Sequence, residues 1–137
     1  MSGEIFYAAA GMGRKVRARA LVASDGFSAR YDLDRVRGVF SRPEHKLAGQ
    51  SYQGRVLVLD AAKGGVATSW MLHEMKARGI MPAALVLNRA NPIMVQGVAL
   101  ADFTMISGFD CDITKAIANG AEVEVDPSGE RPFIRMV

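Results

Sequence analysis

The stretch Arg55-Val-Leu-Val-Leu-Asp60-Ala61-Ala62-Lys63-Gly64-Gly65 decides the fold class. Its apolar residues run on without a polar break, as in a strand buried on both faces. A short glycine loop follows. Residues 66–78 then place Ala67, Trp70, Met71 and Met75 as an apolar stripe at helical spacing, and Gly79 stands where a helix C-cap glycine belongs. Strand, glycine loop and helix in that order are the opening of a β–α unit. Downstream the unit recurs. Pro82 opens a second apolar strand over residues 83–87, Asn88-Arg89-Ala90-Asn91-Pro92 reads as a turn, and Pro92 suits the first position of a helix over residues 93–101.

Working outward, residues 16–22 alternate apolar and polar, with Arg17 and Arg19 between Val16, Ala18 and Ala20, which predicts a half-buried strand. Residues 24–53 are irregular and polar, long for a connection, and so suspect as a functional or interface loop. Residues 103–106 read as a short strand and residues 112–119 as a turn of helix closed at Gly120. A hairpin completes the chain, with strands over 121–125 and 132–137 about an Asp126-Pro-Ser-Gly129 turn. Residues 1–13, small and glycine-containing, read as an N-terminal arm or tail whose Ile5-Phe6-Tyr7 patch could dock on a partner. Strands joined by helices imply parallel pairing with right-handed crossovers, and the hairpin adds antiparallel pairing. The expectation is an α/β fold of mixed β/α type, one domain over residues 14–137.

Composition restricts the function. The chain has 137 residues, half of them apolar and 23% charged, which fits one folded domain. A net charge of +3 and 7% aromatic residues give no basic or stacking surface for nucleic acid. The one cysteine, Cys111, excludes an internal disulfide and any self-contained thiolate metal or cluster site, and it reads as a packed small side chain. The two histidines, His45 and His73, are too few for a convincing metal site. No apolar run reaches the roughly 20 residues of a membrane span. The N-terminus lacks the basic segment of a signal peptide. A cytoplasmic protein is expected, with no metal held by this chain.

The strongest chemical feature is again the quoted junction. Ligands of open α/β sheets bind at the carboxyl ends of strands, where a helix N-terminus presents unpaired N–H groups. Gly64 and Gly65 let an anion approach the backbone, Lys63 adds a charge, and Thr68 and Ser69 add hydroxyls one turn on. A carboxylate or phosphate would suit such a pocket. The alternative is a tight strand–helix turn that binds nothing. The spacings of a Walker A loop or dinucleotide fingerprint are missing. Arg89 and Asn91 follow the next strand, and parallel pairing brings them to the same edge. There Arg89 either takes an anion through its planar fork or stands solvated beside the turn.

Several pieces together resemble one family. These are Arg55-Val-Leu-Val-Leu, Lys63-Gly64-Gly65 with Ser69-Trp70, Met81-Pro82-Ala83-Ala84-Leu-Val-Leu, Asn91-Pro92-Ile93 with Gly97 and Ala101, Gly120-Ala-Glu-Val-Glu-Val-Asp126, and upstream His45-Lys-Leu-Ala-Gly49-Gln-Ser51. In that order they are similar to the small subunit, or swivel domain, of the aconitase X family, which includes phosphomevalonate dehydratase and cis-3-hydroxy-L-proline dehydratase. The resemblance covers roughly residues 15–137.

It implies a swivelling β/β/α domain that closes over a large subunit. That subunit would carry an iron–sulfur cluster on its own cysteines, acting as a Lewis acid on the leaving hydroxyl of a small hydroxy acid. The small subunit would offer a serine, from a loop of the type Gly-Ser-x-x-Gly-Ser, as the base next to the substrate carboxylate. Here Gly65 stands where the first serine is expected, Ser69 is retained, and Trp70 replaces the tyrosine that often follows. Ser69 is therefore the catalytic candidate, and Lys63, Gly64, Gly65, Thr68, Arg89 and Asn91 are the substrate-binding candidates. Thr68 or the large subunit could supply the base instead. Loss of the first serine also allows a non-catalytic, anion-binding or regulatory swivel module. Self-association of the isolated chain through partner-facing surfaces would be compatible with either.

Overall fold

In a computed structural model, the described residues are 5–23, 33–34, 39–40, 47, 49–61, 82–89, 104–128 and 131–137. Their elements are β1 (Ile5–Tyr7), β2 (Ala10–Met12), β3 (Val16–Val22), β4 (Leu33–Asp34), β5 (Val39–Phe40), β6 (Val56–Ala61), β7 (Ala84–Arg89), β8 (Met105–Ser107), α1 (Ile113–Ala116), β9 (Glu122–Asp126) and β10 (Phe133–Met136). Among these residues no helix is long and apolar enough to cross a membrane.

The large sheet has the order β1-β10-β9-β3-β6-β7-β8-β2. The run β3, β6, β7, β8 is parallel, and β9, β10 and β1 continue it antiparallel. This is the expected mixed β/α arrangement. Strand β3 sits at the change of sense. Its first half, Val16 to Arg19, pairs with β9, and Ala20 to Val22 pair with β6. The burial of β3 follows that split. Arg17 and Arg19 face water, whereas Ala20 and Leu21 are both buried.

The apolar run that decided the fold class is buried on both sides, as expected. Val56 and Val58 join Ala20, Ala84, Val86, Ile106, Val123, Val125 and Ile134 in one core cluster. Leu57 and Leu59 point the other way by strand alternation and are fully buried beside Leu21, Leu85 and Leu87. Helix α1 packs on β6 and β7 and drives Ile113 and Ile117 into the first cluster. Burying each such side chain stabilises the fold by roughly 1.5–3 kcal/mol.

Residues 5–12 differ from the arm read in the sequence, because they form β1 and β2. The first pairs with β10 and the second with β8, at opposite ends of the strand order. Only Ala8 and Ala9 separate them. Ala8 N donates to Pro132 O at 2.8 Å, and Ala9 N donates to Ser107 O at 3.0 Å and Gly108 O at 2.7 Å. One short segment thus changes partners within two residues and closes the sheet on itself. The small residues that suggested a tail are what the seam requires. A Cβ on Gly11 would stand 2.9 Å from Pro132 Cβ and 3.0 Å from Ile106 Cγ2. Gly108 has φ +84°, and a Cβ there would meet Ala9 Cβ at 2.9 Å. The pairing is made by main-chain groups, which is why side-chain patterning did not reveal it.

Smaller differences have similar causes. Asn88 and Arg89, expected in a turn, extend β7, with Arg89 registered opposite Ala61. The expected irregular stretch 24–53 contains the two-residue strands β4 and β5, paired with each other. Strand 103–106 is shifted to Met105–Ser107. Cys111 is exposed rather than packed, since it lies in the turn leading to α1. The terminal hairpin is as expected. Asp126 Oδ1 accepts from Ser128 N at 3.0 Å, the side-chain turn for which aspartate is favoured. That bond and the one from the Ser128 hydroxyl hold the Asp126 carboxyl below its ordinary value of 3.8, the hydroxyl being the larger cause. The expected helices over 66–78 and 93–101 lie outside the described residues.

Candidate functional site

Parallel pairing with Ala61 opposite Arg89 brings the carboxyl ends of β6 and β7 to one edge. It is the edge to which the sequence assigned Arg89. Of the expected site residues, Arg89 is described. Lys63, Gly64, Gly65, Thr68, Ser69 and Asn91 lie outside the described residues, as do Trp70, His45 and His73.

What the described edge shows is a carboxamide holding two carboxylates. Asn88 Nδ2 donates to Asp60 Oδ1 at 3.0 Å and to Asp112 Oδ1 at 2.9 Å. Asn88 Oδ1 accepts from Ile113 N at 2.8 Å. The chemistry fixes the amide's orientation, because its NH2 must face the two carboxylates and its oxygen must face the N–H. Asp112 caps α1. Its Oδ1 also accepts from Thr114 N at 3.1 Å and from Thr114 Oγ1 at 2.6 Å. The Thr114 hydroxyl, then the Asn88 amide, hold the Asp112 carboxyl below its ordinary value of 3.8, against a smaller desolvation effect.

Asp60 Oδ2 lies 4.0 Å from an Arg89 guanidinium nitrogen, and the Arg89 side chain is 79% exposed. With Lys115 beside Asp112, the described rim balances two cations against two carboxylates. Sequence reading missed Asn88, Asp60 and Asp112 as a unit. They lie 28 and 24 positions apart; the parallel register of β6 and β7 brings Asp60 to Asn88, and the packing of α1 on those strands brings Asp112.

A second feature is a shallow cleft of about 170 Å³ lined by Phe6, Tyr7, Phe109, Cys111 and Arg131 among others. The Arg131 guanidinium lies 3.8 Å from the Tyr7 ring centroid, and Tyr7 meets Phe133 edge to face at 6.4 Å. It is smaller than ordinary ligand pockets. Among the described residues no group of three or more His, Cys, Asp or Glu side chains could hold a metal ion. An iron–sulfur cluster takes several thiolates, and a chain with one cysteine does not fit that requirement by itself.

The family model described as the Aconitase X swivel domain matches residues 5–134. The chain belongs to the aconitase X swivel-domain family. The match begins at Ile5, the first residue of β1. A relative from Methanopyrus kandleri, named phosphomevalonate dehydratase small subunit, is 35% identical over 115 residues, covering 84% of this chain and 85% of that protein. The Thermococcus sibiricus protein of the same name is 31% identical over 114 residues, covering 83% and 85%. Among solved structures, the crystal structure of Thermococcus kodakaraensis aconitase X in its holo form superposes with a TM-score of 0.88 over 98% of this chain and 99% of that one. It is 23% identical, a likeness of fold. The expected swivel fold is therefore the observed one.

Proposed function

We propose that this chain is the small subunit of an aconitase X-type hydro-lyase acting on a phosphomevalonate-like hydroxy acid. The observation that carries the reading is similarity along nearly the whole chain to small subunits so named, with both chains covered to about the same extent. Of the two substrate types left open by the sequence, these relatives favour the phosphorylated acid over cis-3-hydroxy-L-proline.

In this reading the swivel domain closes over a large subunit that carries the iron–sulfur cluster. The cluster would polarise the leaving hydroxyl. This chain's part is the anion-binding edge. Lys63, Gly64, Gly65 and Thr68 would take the anionic group by charge and by backbone N–H groups, with Arg89 and Asn91 supplied from the next strand end. Ser69 would remove the proton beside the carboxylate, a role a hydroxyl fills only when neighbouring donors lower its pKa. Water is lost as that proton and the hydroxyl leave, and a carbon–carbon double bond forms.

Coexpression with the cysteine-bearing large chain tests this directly. A stable heteromer that eliminates water from phosphomevalonate, with neither chain active alone, is the expected result. Ser69→Ala should then lower kcat by two orders of magnitude or more, in line with loss of a general base. Unchanged turnover in that variant would transfer the base to the partner. It would leave this chain as an anion-binding closure module, as Gly65 in place of the first serine also allows.

A further inference from the structure

We propose that Asp60 is a positioning residue that holds the Arg89 guanidinium at the carboxyl edge of the sheet for an anionic group, and that Asn88 fixes Asp60 for this purpose. The inference rests on the reading that this edge receives the substrate's phosphate or carboxylate.

The geometry divides the Asp60 carboxylate between two tasks. Oδ1 accepts from Asn88 Nδ2 at 3.0 Å. Oδ2 faces Arg89 at 4.0 Å. Asn88 is itself tied to Ile113 N and Asp112 Oδ1, so Asp60 is linked through it to the start of α1. Arg89 and Asn88 are consecutive in β7 and leave the sheet on opposite faces. The guanidinium nevertheless comes within an ion-pair distance of Asp60, which Asn88 holds on its own face. Among the described residues Asp60 is the one ion-pair partner of Arg89.

The contact is long and the side chain mostly exposed, so Asp60 itself leaves the outer N–H edges of the planar fork uncovered. Ordering a long side chain beforehand strengthens binding, because that entropy is not lost again when the ligand arrives. A saturated, bidentate Asp–Arg pair would have blocked the site. A single distant carboxylate orients without occupying it.

The test follows the Arg89 Nε–Hε NMR signal of the full chain during titration with inorganic phosphate. A saturable shift is expected, weakened roughly 3- to 10-fold in Asp60→Asn, which keeps the shape but not the charge. Asp60→Glu, which keeps a carboxylate, should recover part of the loss. In an Arg89→Gln background, with phosphate binding read from the backbone amide shifts of β6 and β7, Asp60→Asn should weaken binding no further, because the two residues act as one unit. Equal or tighter phosphate binding by Asp60→Asn, or an Arg89 signal that phosphate leaves unmoved, overturns the proposal. In the active heteromer the same substitution should raise KM with kcat held within about twofold. A heteromer that dehydrates normally with unchanged KM refutes the positioning role while leaving the hydro-lyase reading intact. An inactive wild-type heteromer with the expected phosphate titrations does the reverse.

Discussion

Asn88 Nδ2 lies 2.9 Å from Asp112 Oδ1, so a strand end and a helix N-cap 24 positions apart share one hydrogen bond. The same amide reaches Asp60 and accepts from Ile113 N. Asn88→Ala removes all three bonds and leaves a half-buried N–H without this partner. The expected cost is about 1–3 kcal/mol in urea unfolding at neutral pH, with Asn88→Asp at least as severe because it adds a third carboxylate. A loss under about 0.5 kcal/mol would mean the network is ornamental.

The closing seam offers a steric test. Gly11→Val places branched carbon where Pro132 and Ile106 already stand within about 3.0 Å of an added Cβ. Overpacking of this kind costs typically 1–3 kcal/mol. Deletion of residues 1–12 should go further, exposing the free edges of β8 and β10 and promoting association. Hydrogen exchange of the Ala8 and Ala9 amides gives an independent measure. Protection comparable to that of β9 is expected, and exchange as fast as in a free peptide would remove the closed sheet.

Acid stability depends on Asp112 and Asp126, whose folded carboxyls lie below the ordinary 3.8. Because the folded values are the lower ones, their stabilisation is complete above about pH 5 and is lost as the pH falls through the ordinary and then the folded values. Carbon-detected titration should give both midpoints below 3.8. In Asn88→Ala the Asp112 midpoint should rise toward it without reaching it, because the larger Thr114 contribution persists.

Cys111 gives a simple check of the turn before α1. An exposed thiol in the native isolated chain should react with one equivalent of a disulfide reagent without denaturant. Reaction only after unfolding would restore the packed position that the sequence suggested.

The strands written in side-chain alternation or unbroken apolar runs were legible: Val16–Val22, Val56–Ala61, Glu122–Asp126 and Phe133–Met136. Each buries a recognisable face. Ile5–Tyr7 and Ala10–Met12 were not, because their pairing uses backbone groups and their glycine and alanines serve close approach. At the candidate site the place of Arg89 at the edge it shares with the end of β6 was legible from the strand order. The Asn88–Asp60–Asp112 network was not, because the β6–β7 register and the packing of α1 that assemble it are long-range properties. Asn88 resembled a turn residue, since an Asn so near an Asn-Pro pair ordinarily is one.

The most direct measurement is the initial rate of water elimination from phosphomevalonate by the purified heteromer of this chain with the proposed large subunit, followed as the appearance of the unsaturated acid. Turnover by the heteromer and none by either chain alone is the expected result. A stable, cluster-loaded heteromer that leaves phosphomevalonate unchanged would contradict it.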